Sequence, residues 1–409
     1  MAAQLYQIAI QIYITGIKLA SLLGHNKARK WKHGRKNIFQ KLHPAKEKTA
    51  WFHCASLGEF EQGRPVIEKF RQRHPGYRIV LTFFSPSGYE IRKNYTGADV
   101  ITYLPADTRK NAKKFIRKVQ PDIVFFVKYE FWFNYIKALK DNNIPLYLIS
   151  GIFREKQVFF KWYGAWFREQ LKAFTAFYVQ DKTSEQLINR ILPGKAVLSG
   201  DTRFDRVHEI SRKVQTNHQI ADFRSGYLVF LAGSTWPADE KVILPYLLKR
   251  ISSKEKIKLI IAPHEVHEKR ILDLMKTLPD DALRLSEAGE EFSNKQVLVI
   301  DSIGMLSQLY QYADIAYIGG GFGAGIHNTL EAAVFGIPVV FGPNYQKFTE
   351  ARSLIDKNAA FSVSCQADFE AVSKKLLDDK THRQYAGSNA ARYVLAETGA
   401  TDIILSSLE

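Results

Sequence analysis

The chain of 409 residues carries 58 Lys and Arg against 41 Asp and Glu, a formal charge of +17 with a pI near 9.5. That length exceeds the size at which one core stops growing, so two domains are expected. Only Cys54 and Cys365 are present, which excludes a disulfide framework and a cysteine-based metal site. The basic balance calls for a polyanion: nucleic acid, an anionic membrane or a phosphorylated substrate.

Residues 5–23, LYQIAIQIYITGIKLASLL, are mostly apolar, interrupted by Gln7, Gln11 and Lys18, and a strongly basic run follows at 25–48. No basic residue precedes the apolar run and no small-residue cleavage site closes it, which argues against a signal peptide. Three polar residues make a spanning helix marginal. The pattern predicts a membrane-associated helix lying in the interface, its basic flank on anionic headgroups, over residues 1–48. A buried N-terminal helix with a solvated basic face is the structural alternative. With Trp31 and Phe39 alone as aromatics, the basic run has no stacking platform for nucleic acid.

From residue 50, apolar runs at 51–56, 78–84, 100–105, 122–127, 145–150 and 176–180 alternate with amphipathic stretches, the signature of βαβ units around a parallel sheet. A polar stretch at 206–226 reads as a linker. A second series follows at 227–234, 258–264, 296–301, 314–320 and 337–342. The expectation is an α/β chain of two Rossmann-like domains, 49–205 and 227–409, facing a central cleft. Ligands of open α/β sheets bind at the carboxyl ends of the strands, and the motifs lie there.

In CASLGEFEQG (54–63), Ser56 ends a strand, Gly58 allows a turn, and Glu59 enters the next helix, where a carboxylate can serve as general base or simply cap the helix. TFFSPSGYE (82–90) offers Ser85, Ser87 and Gly88 to a sugar hydroxyl or phosphate, with capping by Ser87 as the structural alternative. FVKYEFWFN (126–134) places Lys128 and Glu130 after an apolar strand, and SGDTRFDR (199–206) places Arg203 within reach of an anion. In the second half, Gly233, Ser234 and Thr235 form a candidate anion seat, Pro263 and His264 follow a strand, and Ile303, Gly304 and Met305 open a helix. HEVH at 264–267 lacks the HExxH spacing of a zinc site, and no metal site is read. The stretch 319–343, GGGFGAGIHNTLEAAVFGIPVVFGP, reads as a glycine-rich loop, a helix from about Asn328 and a following strand. Glycines let backbone N–H groups approach a phosphate, and Glu331 one turn into that helix can hold a ribose diol or act only as a dipole partner.

The ordered set HCASLGE, TFFSPSGYE, YLPAD, YEFWFN, SGDTRFD, AGSTWPADE, APHEVHE, DSIGMLSQLY and the glycine-rich stretch resembles the 3-deoxy-D-manno-oct-2-ulosonic acid (Kdo) transferases of lipopolysaccharide synthesis, which are GT-B glycosyltransferases. The resemblance implies CMP-Kdo as donor, the lipid A precursor as acceptor, the cytoplasmic side of the inner membrane as location, and no cofactor. It implies Glu59 as the base, and Glu130 and Arg203 as supports of the charged transition state. CMP contacts would fall on Pro263, His264, Ile303, Gly304, Met305, Asn328, Thr329, Leu330 and Glu331. Ser56, Gly58, Ser85, Ser87, Gly88, Gly233, Ser234 and Thr235 remain for phosphate or acceptor. The chain departs from the family pattern at Lys128, which stands at the first carboxylate of an ETELWPN-like motif. It departs again at Arg203, His264 and Thr329, where Lys, Arg and Pro are usual. Three rival readings are another GT-B-type enzyme with a UDP-sugar substrate, including an epimerase of that fold, a non-catalytic membrane-bound nucleotide-sugar binding protein and, most distantly, a nucleic-acid binder.

Overall fold

Each apolar run read from the sequence forms a parallel strand in the computed structural model, which describes residues 2–408 apart from the side chains of Glu290 and Glu291. The chain divides into two compact units, Met1–Arg206 with Thr398–Glu409, and Val207–Glu397. The first holds β1 (Thr49–Cys54), β2 (Arg78–Phe83), β3 (Val100–Tyr103), β4 (Ile123–Val127), β5 (Leu146–Gly151), β6 (Ala176–Val179) and β7 (Ala196–Leu198), in the order β3-β2-β1-β4-β5-β6-β7. The second holds β8 (Leu228–Thr235), β9 (Ile257–Pro263), β10 (Leu283–Arg284), β11 (Val297–Val299), β12 (Ile315–Ile318), β13 (Val339–Phe341) and β14 (Ala360–Ser362), ordered β10-β11-β9-β8-β12-β13-β14. Three strands have no counterpart in the sequence reading: β7, β10 and β14. All are edge strands of two or three residues, too short to carry a periodic signal.

The strands are continuous apolar runs because both sheet faces are covered. In the first unit Ala50, Phe52 and Cys54 of β1 enter one core, while Trp51 enters the other. Phe125 and Val127 of β4 likewise part from Val124 and Phe126. A period of two thus sorts neighbouring residues to opposite, equally buried faces.

Two boundaries differ from the expectation. The 206–226 stretch is largely helical, with helices Thr202–Arg212 and His218–Arg224, and the second of these buries Ile220 and Phe223. The domain expected to run to residue 409 gives up its last segment. Asp205 accepts hydrogen bonds from the backbone N–H of Gly399 (2.6 Å) and Thr401 (2.7 Å), and Ile404 and Leu405 enter a core of the first unit. A terminal helix with an apolar face goes wherever that face can be covered, which local sequence does not reveal.

The N-terminal helix, Ala2–Leu22, combines both sequence readings. One stripe docks on the first unit: Tyr6 donates to Asp107 (2.5 Å), Gln7 donates to Asn134 (2.7 Å), and Ile10 is buried. The other face leaves Leu5, Ile8, Ile12, Leu19 and Leu22 exposed. Asp107 is buried beneath the docked stripe and also accepts the backbone N–H groups of Asn134 and Tyr135, both at 3.1 Å.

Burial pushes the Asp107 carboxyl from 3.8 up to about 6, against the pull of these hydrogen bonds. Between those values the folded chain holds a proton that the unfolded chain has released. The stability this group contributes is therefore complete below about pH 4 and is lost as pH rises through about 6, a change on the order of 3 kcal/mol. Urea melts of wild type and Asp107→Asn from pH 4 to 7 should diverge by that component. Parallel profiles would refute the assignment.

Candidate active site

In the first unit the loops after β1, β2 and β4 lie side by side, because those strands are neighbours in the sheet. Ser56 caps the Leu57–Arg73 helix in extended conformation, and its hydroxyl donates to Oε2 of Glu59 three residues on. Glu59 is 8% exposed, and its Oε1 takes no hydrogen bond from any described residue. The helix N-terminus offers it a favourable field. Beyond its chain neighbours, a Cβ on Gly58 would meet only Ser56 Oγ, at 3.9 Å, so the turn is open at that position.

The β2 loop lies against this turn, with the Ser85 N–H on the Ala55 carbonyl (2.7 Å). Ser85, not Ser87, caps the following helix and also meets the Ser87 hydroxyl at 2.9 Å. Gly88 answers packing rather than ligand approach, since a Cβ there would lie 2.4 Å from the Phe83 ring.

After β4, Lys128 adopts a left-handed backbone (φ 73°), and its ammonium stands 5.3 Å over the Tyr129 ring. Glu130 is held by the Trp132 indole N–H (2.7 Å) and stands 3.6 Å from His53 Nε2. His53 is fully buried. Its Nδ1 meets Thr82 Oγ1 at 2.9 Å, a hydroxyl that also accepts from Trp51 Nε1 (2.8 Å) and donates to the Phe52 carbonyl (3.4 Å). With its proton spent on that carbonyl, Thr82 can only accept from His53, which sets the proton on Nδ1 and leaves the Nε2 lone pair for the Trp132 indole at 3.0 Å. Tyr129 binds the two candidate carboxylates into one locale: burial, then Glu59, then Glu130 raise its pKa above the usual phenol value. The same two carboxylates, after burial, push the Cys54 thiol up.

Arg203 begins the helix after β7, forked onto Asp201 through Nη2 (2.7 Å) and Nε (2.8 Å). The buried Thr202 beside it meets Ser150 Oγ (2.8 Å) and donates to the Gln62 carbonyl (2.5 Å), which ties this turn to the Glu59 helix.

In the second unit the candidate donor residues gather at the ends of β8, β9, β11 and β12. Asp239 organises them from the interior: it accepts the N–H of Gly320 (2.9 Å), the Tyr317 hydroxyl (2.8 Å) and the Trp236 N–H (2.8 Å). Gly320 has φ 90°, and Gly319 packs so closely that a Cβ would lie 2.2 Å from the Ser234 carbonyl oxygen. A stack stands beside this loop, with Trp236 4.8 Å from His264 and His264 4.4 Å from His327, ring to ring. Burial and then the neighbouring His264 push His327 below the usual histidine pKa, against Asp239, which raises it.

Several expected contacts are corrected. The helix expected from Asn328 to Gly336 is a single turn, Leu330–Ala333, so its dipole is small and the expected helix N-terminal anion site is reduced to loop N–H groups. Thr235 is buried and donates to Glu240 (2.7 Å), and a Cβ on Gly233 would collide with the Tyr310 hydroxyl. Neither side chain position faces an anion seat; Ser234, at φ 53°, lies between them. The side chains of Thr329 and Leu330 are fully buried, as is most of Pro263, so their contacts would be main-chain. His264 is exposed, as are Ile303 and Gly304, with Met305 partly covered. Asn328 donates to Glu331 (3.0 Å) and accepts the Leu330 N–H (3.1 Å).

A family model described as 3-deoxy-D-manno-octulosonic-acid transferase (kdotransferase) matches residues 29–206. A 3-deoxy-D-manno-octulosonic acid transferase of Haemophilus influenzae is 27% identical over 371 residues, covering 88% of this chain and 86% of its own. The Chlamydophila psittaci transferase of the same name is 25% identical over 374 residues, covering 88% and 84%. Residues 29–206 thus match the Kdo transferase family model, and the named relatives extend the likeness over most of the chain. The chain's activity is that of a Kdo glycosyltransferase. The fold is GT-B-like. A UDP-GlcNAc 2-epimerase of Neisseria meningitidis, solved bound to UDP-GlcNAc, superposes with a TM-score of 0.63 at 15% identity, covering 88% of this chain and 99% of its own. At that identity the likeness speaks for the fold alone.

Sequence reasoning about this Kdo transferase missed His53, Trp132, Asp201, Trp236, Asp239 and His327. All six lie inside motifs already singled out, His53 at the head of HCASLGE and Asp239 near the end of AGSTWPADE. Asp239 stands three residues after Trp236, the spacing of a helix-capping acid, and that spacing could have found it.

Proposed function

We propose that this Kdo transferase moves Kdo from CMP-Kdo to a primary hydroxyl of the lipid A precursor in one inverting displacement, with Glu59 as general base. The observation that carries this reading is the Glu59 carboxylate, held through one oxygen by Ser56 while the other accepts from no described residue, in a turn left open at Gly58. The acceptor hydroxyl gives its proton to Glu59 as its oxygen bonds to the anomeric carbon. The bond from that carbon to the phosphate breaks, and CMP departs with the electron pair. CMP is already stable as an anion, so the protein's task is to activate a poor nucleophile, spread the leaving charge and hold both substrates in line. The acceptor half belongs to the first unit, with Glu130 and Arg203 supporting the charged transition state. The donor half belongs to the second, with the glycine-rich loop N–H groups at the phosphate and Glu331 on the ribose. Arg203 in place of Lys keeps the positive charge and adds a planar fork.

The enzyme works at the cytoplasmic side of the inner membrane. The exposed apolar stripe of the N-terminal helix and the basic residues after it support this placement, and its docked stripe favours lying in the interface over spanning it.

Incubation with CMP-Kdo and lipid A precursor, followed by mass analysis of the lipid, tests the reaction: the acceptor should gain Kdo. Recovery of unchanged lipid would remove it. Calorimetry tests the donor half. Glu331→Ala should weaken CMP binding by roughly 1–3 kcal/mol, the cost of leaving a buried polar group unmatched. Unchanged affinity would return Glu331 to a local role with Asn328, and tighter binding of UMP than CMP would favour a UDP-sugar donor.

A further inference from the structure

The segment between β5 and β6 carries a side-chain arrangement that the reaction does not use. It folds as two short 3-10 turns, Val158–Phe160 and Trp162–Gly164, leading into the helix Ala165–Leu171. Phe159 is buried in the core, yet Trp162 is 89% exposed and Tyr163 60% exposed. These two rings stand 5.5 Å apart, edge to face, at the tip of the turn.

The tip is firmly built. Arg168 reaches back to the carbonyl oxygens of Phe159 (3.1 Å) and Lys161 (2.8 Å), and the Gly164 N–H bonds to the Lys161 carbonyl (2.9 Å). A Cβ on Gly164 would lie 1.9 Å from the Val158 carbonyl oxygen. A rigid turn that holds its largest apolar side chain in water implies a surface that covers it.

What covers it follows from position and charge. Trp166, one turn after Trp162, lies 5.9 Å from Tyr6 of the N-terminal helix and 5.2 Å from Phe133. Between the two elements is a cavity of about 310 Å³, lined by Ala3 and Gln7 of one and Trp166 of the other, together with Arg109, Lys137 and Lys140. The segment is therefore continuous with the N-terminal helix, whose outward stripe is apolar. Between residues 154 and 172 it carries five basic residues against two acidic ones. Trp and Tyr prefer the headgroup level of a bilayer, where an apolar ring and a polar tip are both satisfied, and lysines around them favour anionic lipids.

We infer that the Trp162–Tyr163 tip is a second membrane anchor, inserting into the headgroup region of an anionic bilayer beside the N-terminal helix and fixing the orientation of the first unit on the membrane. Two contacts on one rigid unit fix a plane of attachment, whereas a single helix leaves rotation about its axis free. This inference rests on the membrane placement proposed above.

The test uses the full chain and vesicles of phosphatidylcholine with or without phosphatidylglycerol. Trp162→Ala/Tyr163→Ala should bind phosphatidylglycerol vesicles roughly ten- to a hundredfold more weakly than wild type, the range expected for taking two large rings out of an apolar layer. Its transfer activity on detergent-dispersed acceptor and its melting temperature should stay unchanged. Wild type and variant binding equally well would overturn the second anchor and leave the membrane placement standing. Wild type failing to bind vesicles would overturn both. Equal vesicle binding together with a shift from dimer to monomer on gel filtration would assign the tip to a second copy of the chain instead.

Discussion

Glu59→Gln is expected to lower turnover by roughly 10²–10⁴ while CMP affinity and melting temperature stay close to wild type. The amide has the shape of the carboxylate and can still accept the Ser56 hydroxyl, so the turn after β1 keeps its geometry. What it loses is the ability to take a proton. The effect should therefore fall on kcat rather than on KM, as for an interaction made only in the transition state. Steady-state rates with saturating CMP-Kdo measure it. Near-normal turnover would move the base elsewhere, and Glu130 would be the first candidate, since its Oε2 is held by Trp132 in the same locale.

Gly319→Ala should cost the second unit both stability and donor binding. The new methyl would lie 2.2 Å from the Ser234 carbonyl oxygen and 2.7 Å from Thr235 Cα, so it meets backbone, which cannot step aside as a flexible side chain can. The ends of β8 and β12 must separate, although the Gly319 N–H bonds to the Gly233 carbonyl (2.9 Å) and the His327 N–H to the Gly319 carbonyl (3.1 Å). Overpacking of this kind costs roughly 1–3 kcal/mol or more, and the shift would carry His327 out of its stack with His264. Gly323→Ala supplies the control. Its Cβ would find nothing nearer than the Gly320 carbonyl oxygen at 3.6 Å, so its melting temperature and CMP affinity should match wild type. Equal behaviour of the two variants would mean that the glycines serve mobility rather than close packing.

The local sequence is enough to read the parallel sheets, the position of the motifs and every described strand but the short edge strands β7, β10 and β14. Burial of a whole strand writes itself as a continuous apolar run, and turn residues punctuate the run at its carboxyl end. Glu59, Glu130 and the glycine-rich loop can be placed at strand ends in this way, because each stands next to the strand that positions it. The glycine-rich loop was legible as a loop, but the length of the helix after it was not. Thr329 and Leu330 are drawn into the interior and leave only one turn, Leu330–Ala333.

Contacts between distant residues were decided by tertiary structure alone. Tyr6 meets Asp107 across 101 positions, Trp132 meets His53 across 79, and Thr401 meets Asp205 across 196. No local pattern records such a pairing. Composition could equally assign the N-terminal helix to membrane or core; packing gave one stripe of it to the protein and left the other exposed. Thr235 in a turn reads as an anion donor until its hydroxyl is seen bonded to Glu240 in the interior. A sequence reports how strongly each segment prefers to be buried, because that preference is summed over neighbours in the chain. Which polar group satisfies which, and which face remains to meet a ligand or a membrane, depends on partners brought together only when the chain closes on itself.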